Sequence, residues 1–275
     1  MGCAERFLIT RDNLPPMPEV ARQLIASFDD EKVDIQTIVS LTSREQSLTL
    51  KVLRLANSAR FTRSRAVTSL QDAAVLMGME KLRNLVLAAS IAGAFPRVSG
   101  LDRLAFWKHA IATGSYCQWL ARILGADADS GYLAGFMLRS GELLIAQTLP
   151  DVVAEVEAGC TRPGMRMSLE RRMLGCTHAD ITAELARRWQ LPHRLVDGFV
   201  HTADPLEARP FSLLAAVMHL SDVMADAGVL GLDPVETLEK CCGPLLLHLR
   251  LDVPWLQSTA PGFDDLTSPV DELIG

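Results

Sequence analysis

Apolar residues recur along most of this chain at spacings of three and four, the period of a helix that buries one face. Val20, Leu24, Ile25 and Phe28 form the first such stripe. It follows Leu14-Pro15-Pro16-Met17-Pro18, where each proline fixes its own φ and biases its predecessor away from helix. Pro18 suits a first helical turn, and Glu19 suits the positive end of the helix dipole. Ile35, Ile38 and Val39 mark a second helix with Asp34 as its cap. A third covers 45–59, with Leu48, Val52, Leu55 and Ala56 on one face. Ser69 caps a fourth, Leu70–Met77, which Gly78 ends. A fifth, over 80–95, is apolar on most sides and is expected to be central. Pro96 and Gly100 then break the pattern.

Beyond the break a long helix is expected over 101–124, stopped by Gly125, followed by helices near 129–137 and 141–149. Shorter helical pieces follow at 151–158 and 169–174, then helices at 178–189, 192–201, 211–227 and 234–241. No segment alternates with period two, and no internal repeat is found, so the expected class is all-α. The division expected is an N-terminal helical unit at 14–98, a second helical unit at 99–250 and a tail at 251–275. Residues 1–13 read as a loose lead-in. The tail carries five acidic residues (Asp252, Asp264, Asp265, Asp271, Glu272) and no basic ones. Interrupted by Pro254, Pro261 and Pro269, it reads as irregular, with Trp255 and Phe263 available to tether it.

Composition narrows the class. Among 275 residues, 49% are hydrophobic and 22% charged, as in an ordinary globular protein. The net charge of −6 gives no global reason to expect nucleic-acid binding. Cys3, Cys117, Cys160, Cys176, Cys241 and Cys242 form no CxxC pair, so free thiols in a reducing, cytoplasmic setting are expected. No basic segment leads into an apolar core at the N-terminus, and the most apolar run, 85–95, has 11 residues, too few to span a bilayer. There is no GxSxG, P-loop or GxGxxG. Gly141 and Gly78 read as helix punctuation.

Three features of the first half are jointly specific: LPPMPEVARQL (14–24), LTLKVLRLANSARF (48–61) and TSLQDAAVLMGMEKLRNLVL (68–87). Their order and spacing closely resemble the HDOD domain, a bacterial signalling module related to HD-domain phosphohydrolases. The resemblance continues through Phe106-Trp107-Lys108-His109, LAGFMLRSGELL (133–144) and LGCTHADITAELARRWQLP (174–192), and covers roughly 14–222. It implies an N-terminal helical bundle packed against a degenerate HD-like bundle, in a regulatory or output module.

Carried over position by position, the resemblance places the metal ligands of HD enzymes at His109, at a His-Asp dyad and at Asp222. His178 and His201 fall where some HD enzymes have further His ligands. The dyad positions hold Leu138 and Arg139, and the family's usual Lys after Gly141 is Glu142. Neither an alkyl group nor a guanidinium can coordinate a metal. No metal and no cofactor are therefore expected, nor catalysis. Arg139 is instead a candidate counter-charge for Asp222, which would otherwise be a costly unpaired carboxylate.

A second constellation is positive. Arg44, Lys51, Arg54, Arg60, Arg63 and Arg65 fall within 22 residues that hold one acid, Glu45. Such local asymmetry can steer an anionic partner. Phe61 is the one aromatic there, which weakens a single-stranded nucleic-acid reading. The leading expectation is a non-catalytic signalling protein that binds a partner protein, and an anionic small ligand besides. The alternatives are a metal-dependent phosphohydrolase of a nucleotide or cyclic dinucleotide, and a nucleic-acid regulator working through the 44–65 patch. No receiver, cyclase or phosphodiesterase segment is read in the chain, so input is expected in trans.

Overall fold

In the computed structural model, residues 2–8, 15–26, 35–57, 67–95, 98, 100–268 and 270 are described. Among them every regular element is helical and none is a strand. The chain divides into two compact units, one made of Met1–Leu14 and Arg97–Thr267, the other of Pro15–Pro96 and Ser268–Gly275.

The smaller unit contains α1 (Glu19–Ala26), α2 (Ile35–Ser43), α3 (Gln46–Ala56), α4 (Leu70–Met77) and α5 (Met79–Ala94). The stripe Val20, Leu24 and Ile25 is buried as its spacing requires, and so are Ile38 and Val39 of α2 and Leu48, Val52 and Ala56 of α3. Phe28, the expected cap Asp34 and residues 58–66 lie outside the described residues. Ser69 caps α4 by accepting from Asp72 N–H at 3.0 Å, and Gly78 ends it at φ +86. α1, α2, α3 and α4 all pack on α5, whose 82–92 stretch is almost wholly buried.

The larger unit is built on α6 (Arg103–Ile123), followed by α7 (Ala128–Met137), α8 (Ser140–Thr148), α9 (Pro150–Gly159), α10 (Arg166–Leu174), α11 (His178–Arg188) and α12 (His193–His201). α13 (Leu213–Val229), α14 (Pro234–His248), α15 (Val253–Thr259) and α16 (Phe263–Thr267) complete it. Asp102 caps α6, Asp127 caps α7 and Thr177 caps α11 in a reciprocal capping box with Asp180. α6 and α7 approach closely because Gly114, Gly131 and Gly135 lie where they meet. A Cβ at Gly135 would meet the Cys117 sulfur at 2.6 Å and the Thr113 carbonyl oxygen at 2.7 Å. α13 also packs along α6 and touches α7, so α6 is enclosed by both helices.

Two segments depart from the sequence reading. Residues 4–8, expected to be loose, form a 3₁₀ turn whose Phe7 and Leu8 are buried against α8 and α11. Arg6 Nη2 donates to the Leu174 carbonyl at 2.8 Å, and Arg188 donates to the Leu8 carbonyl. The tail, expected to be irregular, is helical over 253–259 and 263–267. Pro254 interrupts nothing, because it sits in the first turn of α15, where a missing N–H costs nothing, under the Asp252 cap. The tether is Leu256, fully buried, whereas Trp255 stays half exposed. Phe263 of α16 packs where Gly228 of α13 has no side chain.

Candidate functional site

The second unit carries a buried ionic cluster assembled from three places in the sequence. His109 is on the buried face of α6, and Asp222 and Asp226 lie one turn apart on α13, so both carboxylates point the same way. Arg139 stands between α7 and α8, directly after Leu138, which is fully buried. The junction is held by Thr182, whose hydroxyl donates to the Leu138 carbonyl at 2.8 Å and accepts from Gly141 N–H at 2.8 Å.

Arg139 grips both aspartates. Its Nε donates to Asp222 Oδ1 at 2.9 Å and its Nη2 to Asp222 Oδ2 at 3.1 Å, a two-point fork. Nη2 also donates to Asp226 Oδ1 at 2.6 Å. His109 Nε2 lies 3.1 Å from Asp226 Oδ1 and 3.7 Å from Asp222 Oδ1, while its Nδ1 is 3.2 Å from Thr113 Oγ1. Gly164 N–H donates to Asp226 Oδ2 at 2.9 Å. Burial opposes charge on all three groups, and their attraction overcomes it. The guanidinium is held well above its ordinary range by Asp222 and Asp226, and both carboxyls are held below theirs, with Arg139 the largest favourable influence.

These residues do not fit a divalent metal. The carboxylate oxygens that would coordinate it already receive guanidinium hydrogens at 2.6–3.1 Å. An ion there would face the positive charge of Arg139 at contact range. Among the described residues, no group of three or more His, Cys, Asp or Glu side chains is arranged to hold a metal ion.

A second ionic group lies beside the first. Arg166 Nη1 is 3.4 Å from Glu142 Oε1, and its Nη2 bonds Glu157. Glu142 Oε2 and Arg166 Nη1 make no hydrogen bond among the described residues, although both side chains are buried. They line a cavity of about 530 Å³ with His109, Arg139 and Asp226, and Phe106 forms part of its apolar wall.

His178 belongs to a third pair, deeper in the unit. Its Nδ1 is 2.8 Å from Glu170 Oε2, and the same oxygen accepts from His178 N–H at 2.7 Å. Burial pushes the imidazole down, but Glu170 outweighs it and leaves His178 above its ordinary 6.5. Burial pushes Glu170 up, and His178 more than reverses this, leaving it below 4.5. The depressed carboxyl stabilises the fold above 4.5 and loses that effect as pH falls through its folded value. The raised imidazole stabilises fully below 6.5 and loses its effect as pH rises through its folded value. Stability measured by denaturant melts should therefore decline on the alkaline side of 6.5. Glu170→Gln should flatten that limb, and an unchanged slope would show that the pair does not titrate this way.

Of the residues expected from sequence, His109, Arg139 and Asp222 meet, Leu138 fills space beside them and His178 lies close enough for Asp222 to help hold its charge. His201 does not join them. It ends α12 with a third of its side chain exposed, 3.5 Å from Asp197, which is partly exposed as well. Asp226 was missed, although its spacing of four from Asp222 on a helix signals a shared face. Glu170 was missed too, because it meets His178 across an inter-helix turn that no spacing rule marks. In the basic patch, Arg44 and Arg54 are exposed and Lys51 is half-buried, while Arg60, Arg63 and Arg65 lie outside the described residues.

Comparison with known proteins gives this geometry a context. The family profile of the HDOD domain matches residues 14–205. A crystal structure of a candidate phosphohydrolase from Shewanella amazonensis SB2B is 28% identical with a TM-score of 0.77, covering 98% of each chain. An HDOD domain protein of unknown function from Geobacter sulfurreducens has the same TM-score at 24% identity, covering 98% of this chain and 97% of its own. An uncharacterized protein of Treponema pallidum (strain Nichols) is 27% identical over 189 residues, which are 68% of this chain and 37% of that protein. The chain thus spans little more than a third of that relative's length.

Proposed function

The chain belongs to the HDOD domain family, and we propose that it serves there as a non-catalytic signalling module that acts by binding a partner protein. The observation that carries this reading is the Arg139 fork. A guanidinium bonded to both Asp222 and Asp226 occupies the carboxylate oxygens that metal-dependent hydrolysis would need for its ion. The hydroxyl beside His109, that of Thr113, is buried and donates to the His109 carbonyl at 2.9 Å, so it is not presented as a nucleophile.

What the unit retains is a pocket in the size range of small-ligand sites, about 530 Å³, with convergent polar groups on an apolar wall. Glu142 Oε2 is open to accept hydrogen bonds and Arg166 Nη1 to donate them. A small regulatory ligand presenting an adjacent donor and acceptor, on an otherwise apolar body, matches that pair. The exposed Arg44 and Arg54 suit an acidic protein surface, since the protein's net charge of −6 does not favour a polyanion at large. No helix of the described residues is long and apolar enough to cross a membrane.

The test is turnover. With Mn²⁺ or Fe²⁺ added, the purified chain should hydrolyse neither a chromogenic phosphodiester nor a cyclic dinucleotide above the rate of His109→Ala. Turnover that His109→Ala abolishes would replace this reading with a metal-dependent phosphohydrolase.

A further inference from the structure

Cys3 and Cys176 are far apart in sequence, yet their sulfurs lie 2.6 Å from each other. That is inside the contact distance of two unbonded sulfur atoms, and little further approach separates them from the bonded state. Several contacts hold them there. Cys3 Sγ donates to the Leu174 carbonyl at 2.9 Å, and the 3₁₀ turn that follows Cys3 is anchored by buried Phe7 and Leu8 and by the Arg6 bond to the same carbonyl. Cys176 sits between Gly175, whose φ of +80 ends α10, and Thr177, which caps α11. Neither sulfur is left to find its partner by chance.

We propose that Cys3 and Cys176 form a reversible dithiol–disulfide site whose substrate class is small disulfides. The half-exposed Cys3 is the attacking thiol, since Cys176 is buried. Cys3 gives its proton to solvent and its thiolate attacks one sulfur of the small disulfide. The S–S bond of the reagent breaks, and the displaced thiolate leaves with the electron pair and takes up a proton. Cys176 then attacks Cys3 Sγ and expels the second small thiolate, the Cys176 proton passing to that thiolate as it leaves. Two protein thiols are oxidised to one disulfide, and one small disulfide is reduced to two thiols. Burial and the neighbouring Cys3 sulfur push the Cys176 thiol up, so Cys176 is a poor leaving group and the closed form resists reduction from that side.

The bond would fasten the 3₁₀ turn to the α10–α11 corner that carries the Glu170–His178 pair. It would also close a loop of well over a hundred residues, which restricts the unfolded chain strongly. Full-length protein treated with oxidised glutathione, blocked with iodoacetamide and digested should yield a Cys3–Cys176 linked peptide. Its Tm should rise by about 5 °C or more, and dithiothreitol should reverse the rise. Cys3→Ser, a change at a half-exposed position, should fold with the Tm of the reduced protein and show no rise with the oxidant. A linkage to Cys160, Cys241 or Cys242 instead, an oxidised protein with an unchanged Tm, or a rise that persists in Cys3→Ser would each overturn the proposal.

Discussion

Arg139→Ala should destabilise the protein by about 3–5 kcal/mol, the usual cost of stranding a buried charge. Both Asp222 and Asp226 lose their principal counter-charge in this variant, leaving His109 and the Gly164 N–H as their neighbours. Asp222→Ala should cost less than Arg139→Ala, because the guanidinium keeps its 2.6 Å bond to Asp226. The double variant Arg139→Ala/Asp222→Ala should cost less than the sum of the two singles, since each removes what the other strands. Additive effects of at most roughly 0.5 kcal/mol each, the range of surface substitutions, would mean that the fork does not hold the helices together. Equilibrium denaturant melts of the three variants read this directly.

Gly141→Ala is the second severe change. An added Cβ there would overlap the carbonyl oxygen of His178, a backbone atom at the start of α11 that cannot rotate away. The same glycine must keep its N–H on Thr182 Oγ1. Relief requires α8 and α11 to separate, which pulls at the α7–α8 junction that presents Arg139. The expected loss is about 3 kcal/mol, the upper part of the usual overpacking range, and it should appear as a lower denaturant midpoint with an unchanged m value. Gly78→Ala gives the contrast: nothing lies within 4 Å of a Cβ there, and the strain comes from φ +86 alone. Equal losses in the two variants would remove the steric account of Gly141.

These cases show what a helical protein discloses in its sequence. Helices such as α3, α4 and α6 announce themselves because their own apolar spacing selects the face they bury. The turn at 4–8 and the helices of the tail do not, because a short segment is stabilised by the surface it lands on. Phe263 fits only because α13 has Gly228 in register, and no local pattern contains that information. Gly141 reads as punctuation from the sequence and is instead a close approach between α8 and α11. At the site, Arg139 and Asp222 were legible as partners once the resemblance aligned them. Asp226 was legible from spacing alone and was passed over. Glu170, Arg166 and the Cys3–Cys176 contact depend on how distant segments fold back, which periodicity does not encode.

In this structure a guanidinium balances the carboxylates of α13. Protein purified without chelator, equilibrated with excess Mn²⁺ or Fe²⁺ and then desalted should therefore hold far less than one ion per chain. Close to one ion per chain, lost in both His109→Ala and Asp222→Ala, would show that a metal ion and not Arg139 balances these carboxylates.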